Sequence, residues 1–427
     1  MTRITLGTAS AALQIEGSMP PTPWQAWADG GHVADGTSPN PTTDHWVRWR
    51  EDNELMASLG FGIARIGIEW GRLEPVRGQF NEAALHRYRE EIEDLIAKGI
   101  SPLVTLHHFG HPQWFEDMGA FTKDANVELF LRFVTRVIDA IGDLVDDWIT
   151  INEPNVYASQ AYLFKESPPG EVSWSKLRAT LRNLARAHCR AYRMLHRALD
   201  APGRTIKVSF ANHRRVFEPM NPKNPIHQVF TKVDDLLFHR IYERAFYRGE
   251  FSPIIGKAPD VTPGLYADVI AINYYSRTAV TGLSDGVFEG VPTTDLGWEI
   301  YPQGLAQVGR DLHDEYGLEL WVTENGCCDN PDPATGAIEK FRCDFIMAHL
   351  DAMEESGLPF TRYYHWCFVD NWEWSEGMVA RFGIVHLGEN LERTIKPSGY
   401  MLAEINRAGT VTPEIRKRYS EGSQWAR

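Results

Sequence analysis

The sequence predicts an α/β fold, a single closed (β/α)8 barrel over residues 1–427, on three observations. Eight apolar, β-branched runs of strand length alternate with longer stretches in which apolar residues recur at helical spacing. The short runs are apolar on almost every residue, as expected of parallel strands covered on both faces. The segments leaving several strands are long and rich in Trp, Pro and Gly, whereas the links entering strands are short. In a barrel the longer segments gather on the C-terminal face, where such folds place their sites.

The strands read in order as "RITLGTAS", "GIARIGIEW", "SPLVTLHH", "DWITINEP", "IKVSFANH", "DVIAINYY", "LELWVTENG" and "RYYHWCFVD". Helices read from "NEAALHRYREEIEDLIAKG", "NVELFLRFVTRVIDAIGDLV", "LRATLRNLARAHCRAYRMLHRAL" and "AIEKFRCDFIMAHLDAMEESG". Several helices close on a glycine, at Gly60, Gly99, Gly317 and Gly357, the signal of a left-handed C-terminal cap. A doubly wound open sheet is the alternative fold, but no strand is followed by a glycine-rich nucleotide loop.

Composition narrows the functions. With 427 residues, 43% hydrophobic and 23% charged, the chain reads as globular and large enough for one extensive core. A formal net charge of -14 argues against nucleic acid or an anionic membrane as partner. The five cysteines are odd in number and show no disulfide framework. No apolar run has the length of a signal peptide core or a membrane span, so the expected location is cytoplasmic. Oligomeric state is left open.

Two strands stop on a carboxylate. Glu153 follows "DWITIN" and Glu324 lies in "LELWVTENG", so in a barrel both face one bowl. Gln14, Glu16, Arg65, His107, His108, Asn152, Asn273, Tyr275 and Trp366 end or follow neighbouring strands, and "DNWEW" adds Glu373 and Trp374. Two carboxylates among hydrogen-bonding groups and indoles suit a sugar ring. Retaining cleavage of a glycosidic bond needs such a pair at about 5–5.5 Å, one acting as acid and base, the other as nucleophile.

The motifs "TASAALQIEG", "ITINEPN", "INYYS", "GWEIYPQGL", "VTENG" and "DNWEWSEGMVARFGIV" together resemble glycoside hydrolase family 1, in family order along nearly the whole chain. The resemblance implies a retaining, exo-acting β-glycosidase without a cofactor, acting on a β-glucoside, or on a galactoside or fucoside. It implies Glu153 as acid/base and Glu324 as nucleophile. Gln14, His108, Asn152, Trp366, Glu373 and Trp374 would bind the sugar, and Arg65, Asn273 and Tyr275 would support the nucleophile. On this reading Glu324 stays ionised and Glu153 carries the proton.

The chain departs from the family pattern in places. Phe109 stands for an indole and Gly110 for an acid, which would widen the sugar wall, while Cys367 stands for a serine and Trp372 for a phenylalanine. Glu373, Ala380 and Phe382 argue against a 6-phosphorylated sugar, and Glu153 against a thioglucosidase. Trp372 reads as core packing, and Cys327 and Cys328 as ordinary loop residues. The alternatives are a transglycosylase using the same intermediate, a metal-dependent barrel hydrolase built on "HHFGH", and a catalytically silent sugar-binding protein. His107 and His108 are consecutive on a strand and point apart, which disfavours a shared ion.

Overall fold

Eight parallel strands close on themselves in a computed structural model that describes residues 3–282 and 284–423. They are β1 (Thr5–Ala9), β2 (Ile63–Gly67), β3 (Ser101–Thr105), β4 (Asp147–Asn152), β5 (Lys207–Pro219), β6 (Ile270–Val280), β7 (Leu320–Asn325) and β8 (Phe360–Trp366). Each pairs with the next, and β8 returns to β1 with Gly7 opposite Tyr364. All eight strands read from the sequence are present.

The surrounding helices are α1 (His45–Ser58), α2 (Glu82–Ala97), α3 (Val127–Ile141), α4 (Trp174–Leu199), α5 (Ile241–Arg248), α6 (Gln303–Tyr316), α7 (Arg342–Glu355) and α8 (Pro397–Ala408). The glycines expected to close helices all adopt positive φ, from 67° at Gly357 to 77° at Gly99. Of the four helices quoted from sequence, the last starts late, at Arg342, because the preceding residues turn back on themselves through an Asp332–Ala337 bridge.

Strand alternation splits the core into two layers. Ile63, Leu103, Ile149, Ala271, Trp321 and Tyr364 fill the barrel. Ala64, Val104, Trp148, Ile270, Val322 and Tyr363 face the helices. Every residue of β4 and of β7 is buried, which explains why those strands read as unbroken apolar runs.

At the C-terminal ends the pairing becomes irregular. The β4–β5 register shifts between Ile149 and Asn152, and the β6–β7 register pairs Ile272 with Val322 but Asn273 with Glu324. An extra residue in a ladder re-aims the side chains beyond it, and here it does so just before both carboxylates. No helix among the described residues is long and apolar enough to cross a membrane.

Candidate active site

Glu153 and Glu324 line one cavity of about 760 Å³ on the C-terminal face, together with His108, Tyr275, Trp366, Glu373 and Trp374. That volume suits a small-molecule ligand. Three wall residues, Phe109, Glu153 and Trp374, hold a left-handed backbone without being glycine, at φ 65°, 41° and 54°. Such conformations cost on the order of 1–3 kcal/mol each and cluster at functional sites.

Around Glu324 the partners are a cation and a phenol. Arg65 Nη1 donates to Oε1 at 2.6 Å and the Tyr275 hydroxyl donates to Oε2 at 2.7 Å. Arg65 also forks to Asn152 Oδ1 at 2.7 Å and is anchored through Nε on Thr105 at 3.0 Å.

Asn273, expected beside the nucleophile, is opposite Glu324 in the ladder but sends its amide elsewhere. Its Nδ2 donates to Glu153 Oε1 at 2.8 Å and to Asn152 Oδ1 at 3.0 Å, while its own Oδ1 accepts from Thr323 at 2.7 Å. Arg65 and Asn273 therefore meet on one oxygen of Asn152 and tie the two carboxylates into one network.

Sequence reasoning missed His213. Its Nδ1 lies 3.0 Å from Glu153 Oε1, and its ring stacks on Tyr275. The signal was present, since His213 ends the run "IKVSFANH", and the strand-end rule applied elsewhere applied here too.

The two carboxyls are coupled. Burial, and then the Glu153 charge, push Glu324 up to about 7 against Arg65 and Tyr275. Burial also pushes Glu153 up, but the charge of His213 and hydrogen bonds from His213 and Asn273 outweigh it and bring the group below its ordinary value. The pair thus shares a proton near neutrality. The expected placement, proton on Glu153, is the reverse of these two shifts; Arg65, which cannot surrender its charge, is the group beside Glu324 that opposes its protonation.

The sugar-binding candidates bond to one another around the same site, and His108 Nε2 lies 3.9 Å from Glu324 Oε1. Gln14 Nε2 donates to Glu373 Oε2 at 3.1 Å, and the Trp366 indole donates to Glu373 Oε1 at 3.2 Å. Asn152 and His108 meet at 3.0 Å, and the His108 ring lies against Trp366 and Trp374. Burial and then the Arg65 charge hold His108 well below its ordinary value, so its imidazole is neutral. Gln14 Oε1 and His108 Nδ1 are buried without a protein partner. Burial lifts Glu373 to about 8.

Several expectations need correction. Glu16 is turned out of the bowl, where Arg72 Nε donates to it at 2.6 Å and Tyr88 gives it a hydroxyl. His107 packs among Phe121, Phe130 and Tyr157, apart from His108, because neighbouring strand residues face opposite ways. The wall is not widened at Gly110: a Cβ there would stand 2.3 Å from Glu69 Oε2, so another carboxyl fills that space. Trp372 is fully buried against Trp24 and Trp374, as expected of packing. Cys367 is buried with its thiol on Val369 O at 3.1 Å.

Comparison with known proteins finds relatives along nearly the whole chain. The beta-glucosidase A of Thermotoga maritima is 29% identical, over 93% of this chain and 96% of its own. A solved beta-glucosidase from Thermotoga maritima in complex with glucoimidazole superposes with a TM-score of 0.87 at 27% identity, covering 96% of this chain and 99% of that one. A beta-glycosidase from Pyrococcus horikoshii gives 0.86 at 31% identity, covering 98% of each. The family model of glycosyl hydrolase family 1 matches residues 2–260 and 265–410, so the chain belongs to that family.

Proposed function

We propose that this chain, read as one catalytic domain over residues 1–427, hydrolyses the terminal β-D-glucosyl residue of O-glycosides with retention, galactosides and fucosides being related substrates. The observation that carries the reading is the shared network, in which Arg65 and Asn273 tie Glu324 and Glu153 to one oxygen of Asn152 inside a single cavity.

In the first step the Glu324 carboxylate attacks the anomeric carbon while Glu153 passes its proton to the leaving oxygen. In the second, Glu153 takes a proton from water, which attacks the same carbon and frees Glu324. Arg65 and Tyr275 orient Glu324 and favour its anionic form. The free Gln14 Oε1 and His108 Nδ1, with Asn152 and Glu373, would take ring hydroxyls, and Trp366 and Trp374 the apolar sugar face.

Ala380 and Phe382 are neutral, so a 6-phosphate would gain no cation from those two positions. The test is chemical rescue. Glu324→Ala should lose nearly all turnover and regain it with azide, giving the inverted glycosyl azide. Glu153→Ala should still release a dinitrophenol rapidly in the first turnover. Equal loss on every substrate, with no rescue, would reject these roles.

A further inference from the structure

The cavity continues past Glu153 as a cleft between the segment following β4, the start of α4 and the excursion after β5. There its walls change from polar to apolar: Phe164, Trp174, Phe217, Phe230, Val233 and Leu237. Several stand open to solvent, Phe164 at 56% and Trp174 at 46% of their full surface.

The helix Pro225–Asp235 buries none of its residues. Yet its apolar side chains recur at Ile226, Val229, Phe230 and Val233 and continue at Leu236 and Leu237, the spacing of a face meant to be covered. Exposed apolar patches of this kind mark binding sites. Phe230, Val233 and Leu237 turn into the cleft. The two π-helical turns among the described residues, Gln160–Phe164 and Leu236–Arg240, supply walls to this same cleft, and such turns recur at functional sites.

We propose that this cleft holds the hydrocarbon chain of an alkyl or acyl aglycone, so that the enzyme favours neutral amphiphilic β-glycosides with the sugar in the bowl and the tail along the cleft. The inference rests on the glycosidase reading above. A second sugar is disfavoured because its hydroxyls would lie unpaired against Val233 and Leu237. An anionic tail is disfavoured because Glu166, Asp234 and Asp285 line the same stretch, against the single guanidinium of Arg215 among the described residues. A protein partner seated here would close the entrance to Glu153 and Glu324.

The test is kcat/KM for methyl, butyl, hexyl and octyl β-D-glucosides below their micelle concentrations, with cellobiose alongside. The rate constant should climb with chain length by up to about three- to fourfold per methylene, the factor given by ~0.8 kcal/mol per buried CH₂, and octyl glucoside should exceed cellobiose. Phe230→Ser and Leu237→Ser should each lower the octyl-to-methyl ratio at least about fivefold. That ratio is internal to each variant, so partial unfolding cancels.

Cleavage without dependence on chain length overturns the proposal and leaves the glycosidase reading intact, whereas no cleavage of any glucoside overturns both. Flat dependence with a light-scattering mass that halves in Leu237→Ser assigns the patch to a second copy of the chain. Flat dependence with binding to neutral phosphatidylcholine vesicles assigns it to a lipid surface. Either result also overturns the proposal.

Discussion

His213 and Glu153, both buried, face each other with Nδ1 and Oε1 3.0 Å apart. Whether the imidazole is charged or merely donates from Nδ1, it favours the ionised form of Glu153. His213→Phe keeps a ring on Tyr275 and removes that influence. Glu153 should then hold its proton to higher pH, and the alkaline limb of kcat/KM should move up by about one pH unit. A pH profile on 4-nitrophenyl β-D-glucoside reads this directly. An unmoved limb would mean that Asn273 alone sets Glu153.

Arg65 serves Glu324 through both charge and shape, and two substitutions separate these. Arg65→Met removes the charge that lowers Glu324, so the acidic limb should rise by more than about one pH unit. Arg65→Lys keeps the charge but cannot span Glu324 and Asn152 together, so the limb should stay while kcat falls about tenfold or more. Identical pH profiles for the two variants would contradict this division.

Much of this site was legible because strand ends and apolar runs are local signals. "DWITINEP" and "LELWVTENG" showed two buried strands stopping on acids, and the barrel then brought the acids together. The direction of individual side chains was not legible, because it is set by register. The shifts before Asn152 and Glu324 decide that Asn273 reaches Glu153 rather than Glu324. Glu16 was misplaced for a similar reason: its partner Arg72 comes from a short helix after β2 that no local pattern links to it. Nor could the sequence show that Glu69 fills the space beside Gly110, which only the packed loops define.

Glu373 ties the sugar site to stability. Burial raises its carboxyl from 4.5 to about 8, with the Trp366 and Gln14 donors opposing the shift. The folded protein therefore binds this proton more tightly than the unfolded chain. Its contribution to stability is full below about pH 4.5 and is lost as pH rises through about 8. Glu373→Gln cannot titrate, so its Tm should decline less than that of the wild type between pH 5 and 8. Thermal melts at several pH values check this, and parallel curves would show that Glu373 is already ionised in the fold.

Gly326, the last residue of "TENG", is required by barrel closure rather than by chemistry. A Cβ there would stand 1.9 Å from the backbone oxygen of Trp366, so β7 and β8 could not both keep their places. At Gly110 the obstacle is the end of the Glu69 side chain, which can swing aside. Gly326→Ala should therefore destabilise by about 1–3 kcal/mol or more, and Gly110→Ala by less. The Gly326 change should also reach the site, because the displaced strand carries the indole that donates to Glu373 at 3.2 Å. Displacements near 1 Å can cost on the order of a hundredfold in rate, so kcat/KM per folded molecule should fall at least about tenfold. Denaturant melts with active-site titration separate the two effects. A Gly326→Ala enzyme of unchanged stability and full activity would show that β8 can yield without disturbing Trp366.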